Sequence, residues 1–375
     1  MNSEIEKNLL EIANADSWII PVSGKPFIIA GPCSAESEFQ LVETALALKK
    51  TGKVSVLRAG IWKPRTRPNE FEGVGRIGLE WLKTAKKESG LPTTVEVATA
   101  KHVEDSLKNE VDMLWIGART TVNPFSVKEI AEALKGVDIP VFIKNPVNPD
   151  LQLWIGALER INRAGIKKIA AIHRGFSFYG KSIYRNEPMW AIPIELKRLF
   201  PELPILCDPS HISGARKLIP SLAQEALDLN FQGLMIESHI NPDKALTDAK
   251  QQFKPEDLAL IINNLIVRSV DSADKNFVEK LSKMRALIDK LDDEILQSIS
   301  SRMSIVEEIA DFKKENNVTI LQLKRWEEII EKRTEMASSM NLSQTFAKKL
   351  LTLIHEEAIA RHSEIMNKQF VDSIK

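Results

Sequence analysis

All 16 glycines and all 18 prolines of this chain fall within its first 255 residues, and the final 120 residues contain neither. Glycine and proline punctuate turns and strand–helix junctions, and both are unfavourable inside a helix. A tail of that length without them reads as long uninterrupted helices. The punctuated part before it reads as short elements joined by many turns. At 375 residues the chain is long enough for two domains. The polar segment 269–276 is the natural linker, which makes residues 1–268 one domain and 277–375 another.

The punctuated domain carries eight short apolar runs, at 27–30, 54–57, 93–97, 113–116, 141–143, 169–172, 205–207 and 234–236. Amphipathic stretches lie between them, among them 38–50, 77–88, 126–134, 151–164 and 215–227, and a last one follows at 255–267. Eight strand-like runs alternating with helical patterns predict an α/β fold, a (β/α)8 TIM barrel. Near the end of each run stands a chemically active side chain: Cys33, Arg58, Glu96, Arg119, Lys144, Arg174, His211 and Glu237. In a barrel the carboxyl ends of the strands converge on one mouth, where these groups would meet.

His211, Glu237 and Asp248 are of types that bind a divalent metal, and Cys33 is the candidate fourth ligand. A mixed sulfur, nitrogen and oxygen set leaves the metal open, since thiolate favours zinc or iron and carboxylate favours manganese. Cys207 lies inside a run and reads as a small buried hydrophobe. Two cysteines make no disulfide framework and fit a reducing compartment. The loop after the second run holds Arg58, Lys63, Arg65 and Arg67 within ten residues, stiffened by Pro64 and Pro68. Such a loop suits phosphate and carboxylate groups. The chain as a whole balances 51 basic against 51 acidic residues, so nothing in its net charge points to nucleic acid or a membrane surface. No stretch approaches the ~20 apolar residues of a membrane span. The first twenty residues, with Glu4, Glu6, Glu11 and Asp16, lack the cationic start of a signal peptide, so a cytoplasmic protein is expected.

Beyond the linker, apolar residues step by three and four: Leu281, Met284, Ile288, Leu291, Ile295, Ile299, Val306 and Ile309. The pattern predicts one helix from 277 to about 316, ~60 Å long at ~1.5 Å per residue. Two more are predicted at 323–340 and 343–367, the last capped by Ser343. A first helix too long for a compact three-helix bundle predicts an intertwined homodimer. Arg302 and Lys313 fall on the apolar stripe, ~20° apart on the helical wheel, and so share a face. They are either polar specificity devices in a helical core or a buried anion site. Arg285 lies ~25 Å along the axis from Arg302 and could join that site only from a partner chain.

Six ordered segments carry a family resemblance. They are Gly31-Pro32-Cys33-Ser34, Lys63-Pro64-Arg65-Thr66, Ile116-Gly117-Ala118-Arg119, His173-Arg174-Gly175, Asp208-Pro209-Ser210-His211, and the pair Glu237 and Asp248. Across about 21–267 the chain resembles the short, type I-beta 3-deoxy-D-arabino-heptulosonate 7-phosphate (DAHP) synthases. The resemblance implies metal ligands at Cys33, His211, Glu237 and Asp248. The ion would be divalent, manganese first, with iron, zinc or cobalt as alternatives. It implies phosphoenolpyruvate on Arg58, Lys63, Arg119, Lys144 and Arg174, and erythrose 4-phosphate on Lys63, Pro64, Arg65 and Thr66. The implied reaction joins these two substrates to DAHP and phosphate, with Lys63 catalytic either as a proton donor to the new alkoxide or electrostatically. Arg67 stands where the family has a small serine, and Asn145-Pro146 where many members have Arg-Gly.

From about 277 to 366 the helical pattern resembles the AroQ-type chorismate mutases. That resemblance implies chorismate or prephenate held by Arg302, Lys313, Gln322, Arg325, His362 and the partner subunit's Arg285. Arg302 and Lys313 would be catalytic, Lys313 beside the breaking ether bond. His362 stands where the family has glutamine, Ala358 where it has a small polar residue, and Gln322 and Trp326 where acidic contacts are common. Together the two resemblances imply a bifunctional transferase and isomerase of the shikimate route to aromatic amino acids. Two alternatives remain: a related sugar-acid phosphate synthase acting on arabinose 5-phosphate, and a helical domain that dimerises and senses prephenate or chorismate.

Overall fold

A strand that is apolar on both faces needs cover on both, which a closed parallel barrel wrapped in helices provides. The computed structural model of this chain describes residues 10–22, 26–64 and 70–372. Within them eight parallel strands close on themselves in sequence order. They are β1 (Phe27–Gly31), β2 (Val56–Ala59), β3 (Thr93–Val97), β4 (Met113–Ile116), β5 (Val141–Lys144), β6 (Ile169–His173), β7 (Ile205–Cys207) and β8 (Gly233–Glu237). Between and after them run α1 (Glu38–Thr51), α2 (Ile77–Ser89), α3 (Ala100–Lys108), α4 (Ala118–Thr121), α5 (Pro124–Ala133), α6 (Leu151–Arg163), α7 (Ala191–Leu199), α8 (Pro209–Ser213), α9 (Ile219–Asp228) and α10 (Pro255–Asn264). The TIM-like barrel expected from the alternating pattern is the fold.

Side chains alternate along each strand, and two separate cores follow from that period. Phe27, Ile29, Val56, Trp115, Phe142, Ala170, Ile172, Leu206 and Met235 fill the barrel interior, joined by Trp18 and Ile19 from the amino-terminal segment. Ile28, Ala30, Leu57, Leu114, Ile143, Ala171, Cys207 and Ile236 face the helices instead. Cys207 is thus a core residue on the helix side, as its place inside an apolar run suggests.

The strand boundaries differ from the apolar runs in one consistent way. The second strand begins at Val56 rather than residue 54 and runs on through Arg58, and the fifth, sixth and eighth take in Lys144, His173 and Glu237. Ladder pairing depends on the backbone and ignores side-chain charge, so a strand continues where its apolar run stops. The close of the sheet makes a demand of its own at Gly31, which pairs with Glu237 across the β1–β8 seam. A Cβ at Gly31, with φ at 150°, would lie 2.1 Å from the carbonyl oxygen of Arg58. Gly31→Ala is therefore expected to cost roughly 1–3 kcal/mol as an overpacking change. A thermal melt should register it at about 2–4 °C per kcal/mol for a domain of this size.

The chain divides into two compact units, Met1–Val270 and Asp271–Lys375. The second is three helices: α11 (Lys275–Glu315), α12 (Leu323–Ser339) and α13 (Gln344–Asp372). Asp274 caps α11 by accepting from the backbone of Asn276 and Phe277, and Ser343 accepts from Phe346 N–H at the start of α13. α13 packs against both of the others. The core of this unit is small: Met303, Val306 and Ala358, with Ile299 and Ile354 beside them. It uses only the carboxyl half of α11. In the other half Phe277, Met284, Leu287, Ile288, Leu291 and Ile295 are all more than half exposed.

Candidate functional site

The interior parity of the barrel continues past its apolar layers into an ionic top layer. Arg58, Glu96, Lys144 and Glu237 share a strand face with Val56, Thr94, Phe142 and Met235, and Arg174 and Asp208 follow β6 and β7 in the same phase. Trp115 is the floor. Its indole N–H donates to Glu96 Oε2 at 3.0 Å. The Arg58 guanidinium sits 5.0 Å, and Lys144 Nζ 5.8 Å, from the centroid of its ring. Opposite charges then pair above it: Arg58 with Glu237 Oε1 at 3.3 Å, and Lys144 with Asp208 Oδ2 at 2.7 Å, all four buried.

Three groups meet at one spot at the rim of this layer, with a fourth beside it. Cys33, Glu237 and Asp248 bring their ligand atoms within 4.8 Å of one another. His211 stands one step out, with Nε2 3.7 Å from Glu237 Oε1. Asp208 Oδ2 lies 2.8 Å from His211 Nδ1, and Asp208 Oδ1 accepts from the His211 backbone N–H as cap of α8. Burial holds His211 below its ordinary pKa, against the pull of Asp208. The imidazole is therefore neutral with its proton on Nδ1, which leaves the Nε2 lone pair facing Glu237. Burial opposes the charge on Glu237 and Asp248 as well. It is outweighed by the Arg58 guanidinium at Glu237 and by the Arg185 guanidinium at Asp248, so both carboxyls stay ionised.

These donors fit a divalent cation. Glu237 Oε1 is buried and accepts no hydrogen bond, while Oε2 accepts from Gln251 Nε2 at 2.7 Å. The Cys33 thiol is pushed up to about 12, first by burial and then by Glu237. A buried neutral thiol and two carboxylates at one point, with an imidazole nitrogen beside them, are of the types that bind a cation, and cation binding is what deprotonates such a thiol. Lys63 Nζ donates to Cys33 Sγ at 3.0 Å and to its carbonyl at 2.9 Å. Gly60 permits this approach, since a Cβ there would lie 2.4 Å from the same carbonyl.

The remaining barrel residues expected from sequence fall as follows. Arg174 is buried beside Asn186, to whose Oδ1 it donates at 2.8 Å, and burial lowers it to about 10 despite Asp208 nearby. Asn145 aims it by accepting from the Arg174 backbone N–H at 2.7 Å and donating to Gly175 O at 2.8 Å. Arg119 lies exposed on the single turn α4 directly after β4. Pro64 is exposed, and Arg65, Thr66 and Arg67 lie outside the described residues. His173 points the other way, among Trp154, Phe176, Trp190 and Phe231, where burial drives it down to about 3. Sequence reasoning misses Arg185, whose guanidinium donates to Asp248 Oδ1 at 2.8 Å, because it sits deep in the long loop after β6. It also leaves Asp208, Gln251 and Gln252 without a role.

In the helical unit a cavity of about 470 Å³ is lined by Arg302, Lys313, Gln322, Arg325, Trp326, His355, Ala358 and His362 among others. One terminal nitrogen of Arg302 and Nε2 of His362 are buried there without a hydrogen-bond partner. Lys313 Nζ donates to Ile320 O at 2.7 Å, and Arg325 pairs with Glu328 at 3.2 Å. Trp326 stacks on His355 with centroids 3.9 Å apart. Arg285 is exposed on α11 and does not line this cavity. Three cations around one apolar-walled cavity suit a ligand with carboxylates.

Residues 12–268 match the model of the DAHP synthetase I family, more than half of the chain. The chain belongs to the DAHP synthetase I family. Residues 284–363 match chorismate mutase type II, so a DAHP synthetase I barrel and a chorismate mutase type II helical domain are fused in one chain. The phospho-2-dehydro-3-deoxyheptonate aldolase of Thermotoga maritima is 36% identical over 224 residues, covering 60% of this chain and 64% of that protein. A crystal structure of the Thermotoga maritima DAHP synthase matches with TM-score 0.58 and 33% identity, over 64% of this chain and 68% of that one. The 2-dehydro-3-deoxyphosphooctonate aldolase of Variovorax paradoxus is 26% identical over 277 residues, covering 68% of this chain and 93% of that protein. The DAHP synthetase I barrel therefore has relatives named for either of two sugar acids. No helix among the described residues is long and apolar enough to cross a membrane.

Proposed function

We propose that the barrel condenses phosphoenolpyruvate with erythrose 4-phosphate to DAHP and phosphate, and that the helical domain rearranges chorismate to prephenate. The observation that carries the first half is the meeting of Cys33, Glu237 and Asp248, with His211 beside them, next to the buried cations Arg58, Lys144 and Arg174. When bound, a divalent cation, manganese by our assignment, supplies Lewis acidity toward an aldehyde oxygen. Arg58, Arg119, Lys144 and Arg174 hold the phosphate and carboxylate of phosphoenolpyruvate and fix its carbon 3 toward the aldehyde. Lys63, with Nζ beside Cys33, provides positive charge and a proton at the oxygen that becomes an alkoxide. Lys63, Pro64, Arg65 and Thr66 receive the tetrose. Carbon 3 attacks the aldehyde, water adds at carbon 2, and phosphate departs.

A coupled phosphate-release assay offering erythrose 4-phosphate and arabinose 5-phosphate separately tests this reading. Turnover is expected with the tetrose only, and a chelator is expected to abolish it while chorismate conversion continues. Turnover with the pentose alone would reassign the barrel to the other sugar acid.

For the helical domain, Arg302, Lys313 and Arg325 supply charge for a dicarboxylate, and Gln322 can reach its hydroxyl. The exposed apolar stripe on the amino half of α11 supports a homodimer, which would bring the partner subunit's Arg285 to this cavity. Sedimentation at micromolar protein should report two chains. One observation favours a second reading, a prephenate-sensing module. His362 Nδ1 donates to the Ala358 carbonyl at 2.8 Å, a bond within its own helix that spends a ring donor away from the cavity. A soluble cytoplasmic enzyme is the setting these phosphorylated substrates and two free thiols support.

A further inference from the structure

We propose that the adjacent glutamines Gln251 and Gln252 are the positioning element of the barrel's cation site, together fastening Glu237 and Cys33 to the segment that carries Asp248. The proposal rests on reading Cys33, His211, Glu237 and Asp248 as ligands. Both glutamine side chains are essentially fully buried, and each uses both ends of its amide. Gln251 Nε2 donates to Glu237 Oε2 at 2.7 Å, and its Oε1 accepts from Arg185 at 3.2 Å. Gln252 Oε1 accepts from the Cys33 backbone N–H at 2.9 Å, and its Nε2 donates to Thr247 O at 2.7 Å.

The backbone explains how two neighbours reach two different ligands. Gln252 is extended, at φ −90° and ψ 141°, and successive side chains of extended chain point to opposite sides. The segment is itself pinned to the end of β8: Phe253 N–H donates to Glu237 O at 3.1 Å, and His239 N–H donates to Phe253 O at 2.9 Å. Asp248 opens the same short stretch in the left-handed region, at φ 49°. One dipeptide therefore ties the ends of β1 and β8 to the segment that carries Asp248. By engaging Oε2 of Glu237, Gln251 leaves Oε1 as the oxygen turned toward His211. By holding Cys33 N–H and Thr247 O at once, Gln252 sets the 3.4 Å separation of Cys33 Sγ and Asp248 Oδ2.

The test is cobalt(II) titration of metal-free full-length protein, followed by the thiolate-to-cobalt charge-transfer absorption and by equilibrium dialysis. Gln251→Met and Gln252→Met are expected to weaken binding ~10–100-fold, the usual effect of losing a group that orients a metal ligand. Gln252→Met should also diminish the charge-transfer band, because Cys33 loses its anchor, whereas Gln251→Met should keep the band per bound ion. Gln232→Met is the control. Gln232 Oε1 accepts from Ile205 N–H at 2.9 Å at the opposite end of the barrel, so a merely structural loss appears there too, with cobalt binding unchanged. Should Gln252→Met fail to fold, Gln252→Glu keeps the size and the acceptor for Cys33 while setting a second acceptor against Thr247 O. Cobalt affinity within about twofold of wild type in the glutamine variants, or an equal loss in the control, overturns the proposal. Failure of the wild-type protein to bind cobalt overturns the ligand reading beneath it.

Discussion

Glu237→Gln is expected to lower cobalt or manganese affinity of the barrel by more than ~10²-fold and synthase turnover by ~10²–10³-fold, with chorismate conversion unaffected. The first figure exceeds the upper end of what loss of an orienting neighbour costs, because Glu237 would itself be a ligand. The second is the range for removing one fixed electrostatic contact from a transition state. Glu237 is also the counter-charge of Arg58, 3.3 Å away in a fully buried pair. Removing one partner of such a pair costs ~3–5 kcal/mol, since the other charge is left uncompensated. A melt of the metal-free variant should therefore fall along with the metal affinity. A variant that binds manganese as tightly as wild type would sink the assignment of Glu237 as a ligand.

Lys313→Ala should reduce chorismate turnover by ~10²–10³-fold while synthase turnover stays at the wild-type level. Lys313 lines the helical cavity, and its ammonium donates there to the Ile320 carbonyl at 2.7 Å, a charged hydrogen bond worth ~1.5–3 kcal/mol. The fold should survive the change and the cationic edge of the cavity should not. The measurement is prephenate formation, with Arg302→Ala as a companion variant that should raise KM by ~10–100-fold through loss of a charged hydrogen bond. If the wild-type protein forms no prephenate, yet added prephenate slows the barrel, the helical domain is a sensor and Lys313→Ala should abolish that slowing instead.

Much of this architecture is legible in residue order because it depends on short-range periodicity. Alternation of apolar runs with amphipathic stretches implies eight strands and their helices, and absence of glycine and proline after residue 255 implies the helical tail. The strand ends are less legible. A run of apolar residues stops at the first charge, but Arg58, Lys144 and Glu237 belong to their strands, because hydrogen bonding of the ladder is indifferent to the side chain. Their phase along the strand, inward with Val56, Phe142 and Met235, makes them one ionic layer. Cys207, a single step out of that phase, becomes core on the other face.

Chain order determined the sequence of strands and helices, the residue types at each strand end and the phase that turns them inward. Only the closed barrel decided which of them touch. Cys33 and Asp248 are 215 residues apart and become neighbours because β1 and β8 pair across the seam. Arg185, Gln251 and Gln252 enter the site through loop paths that no local spacing encodes. Periodicity is a property of a few consecutive residues and can be read one turn or one strand at a time. A coordination sphere is a property of distances between remote segments, and those exist only once the sheet has closed.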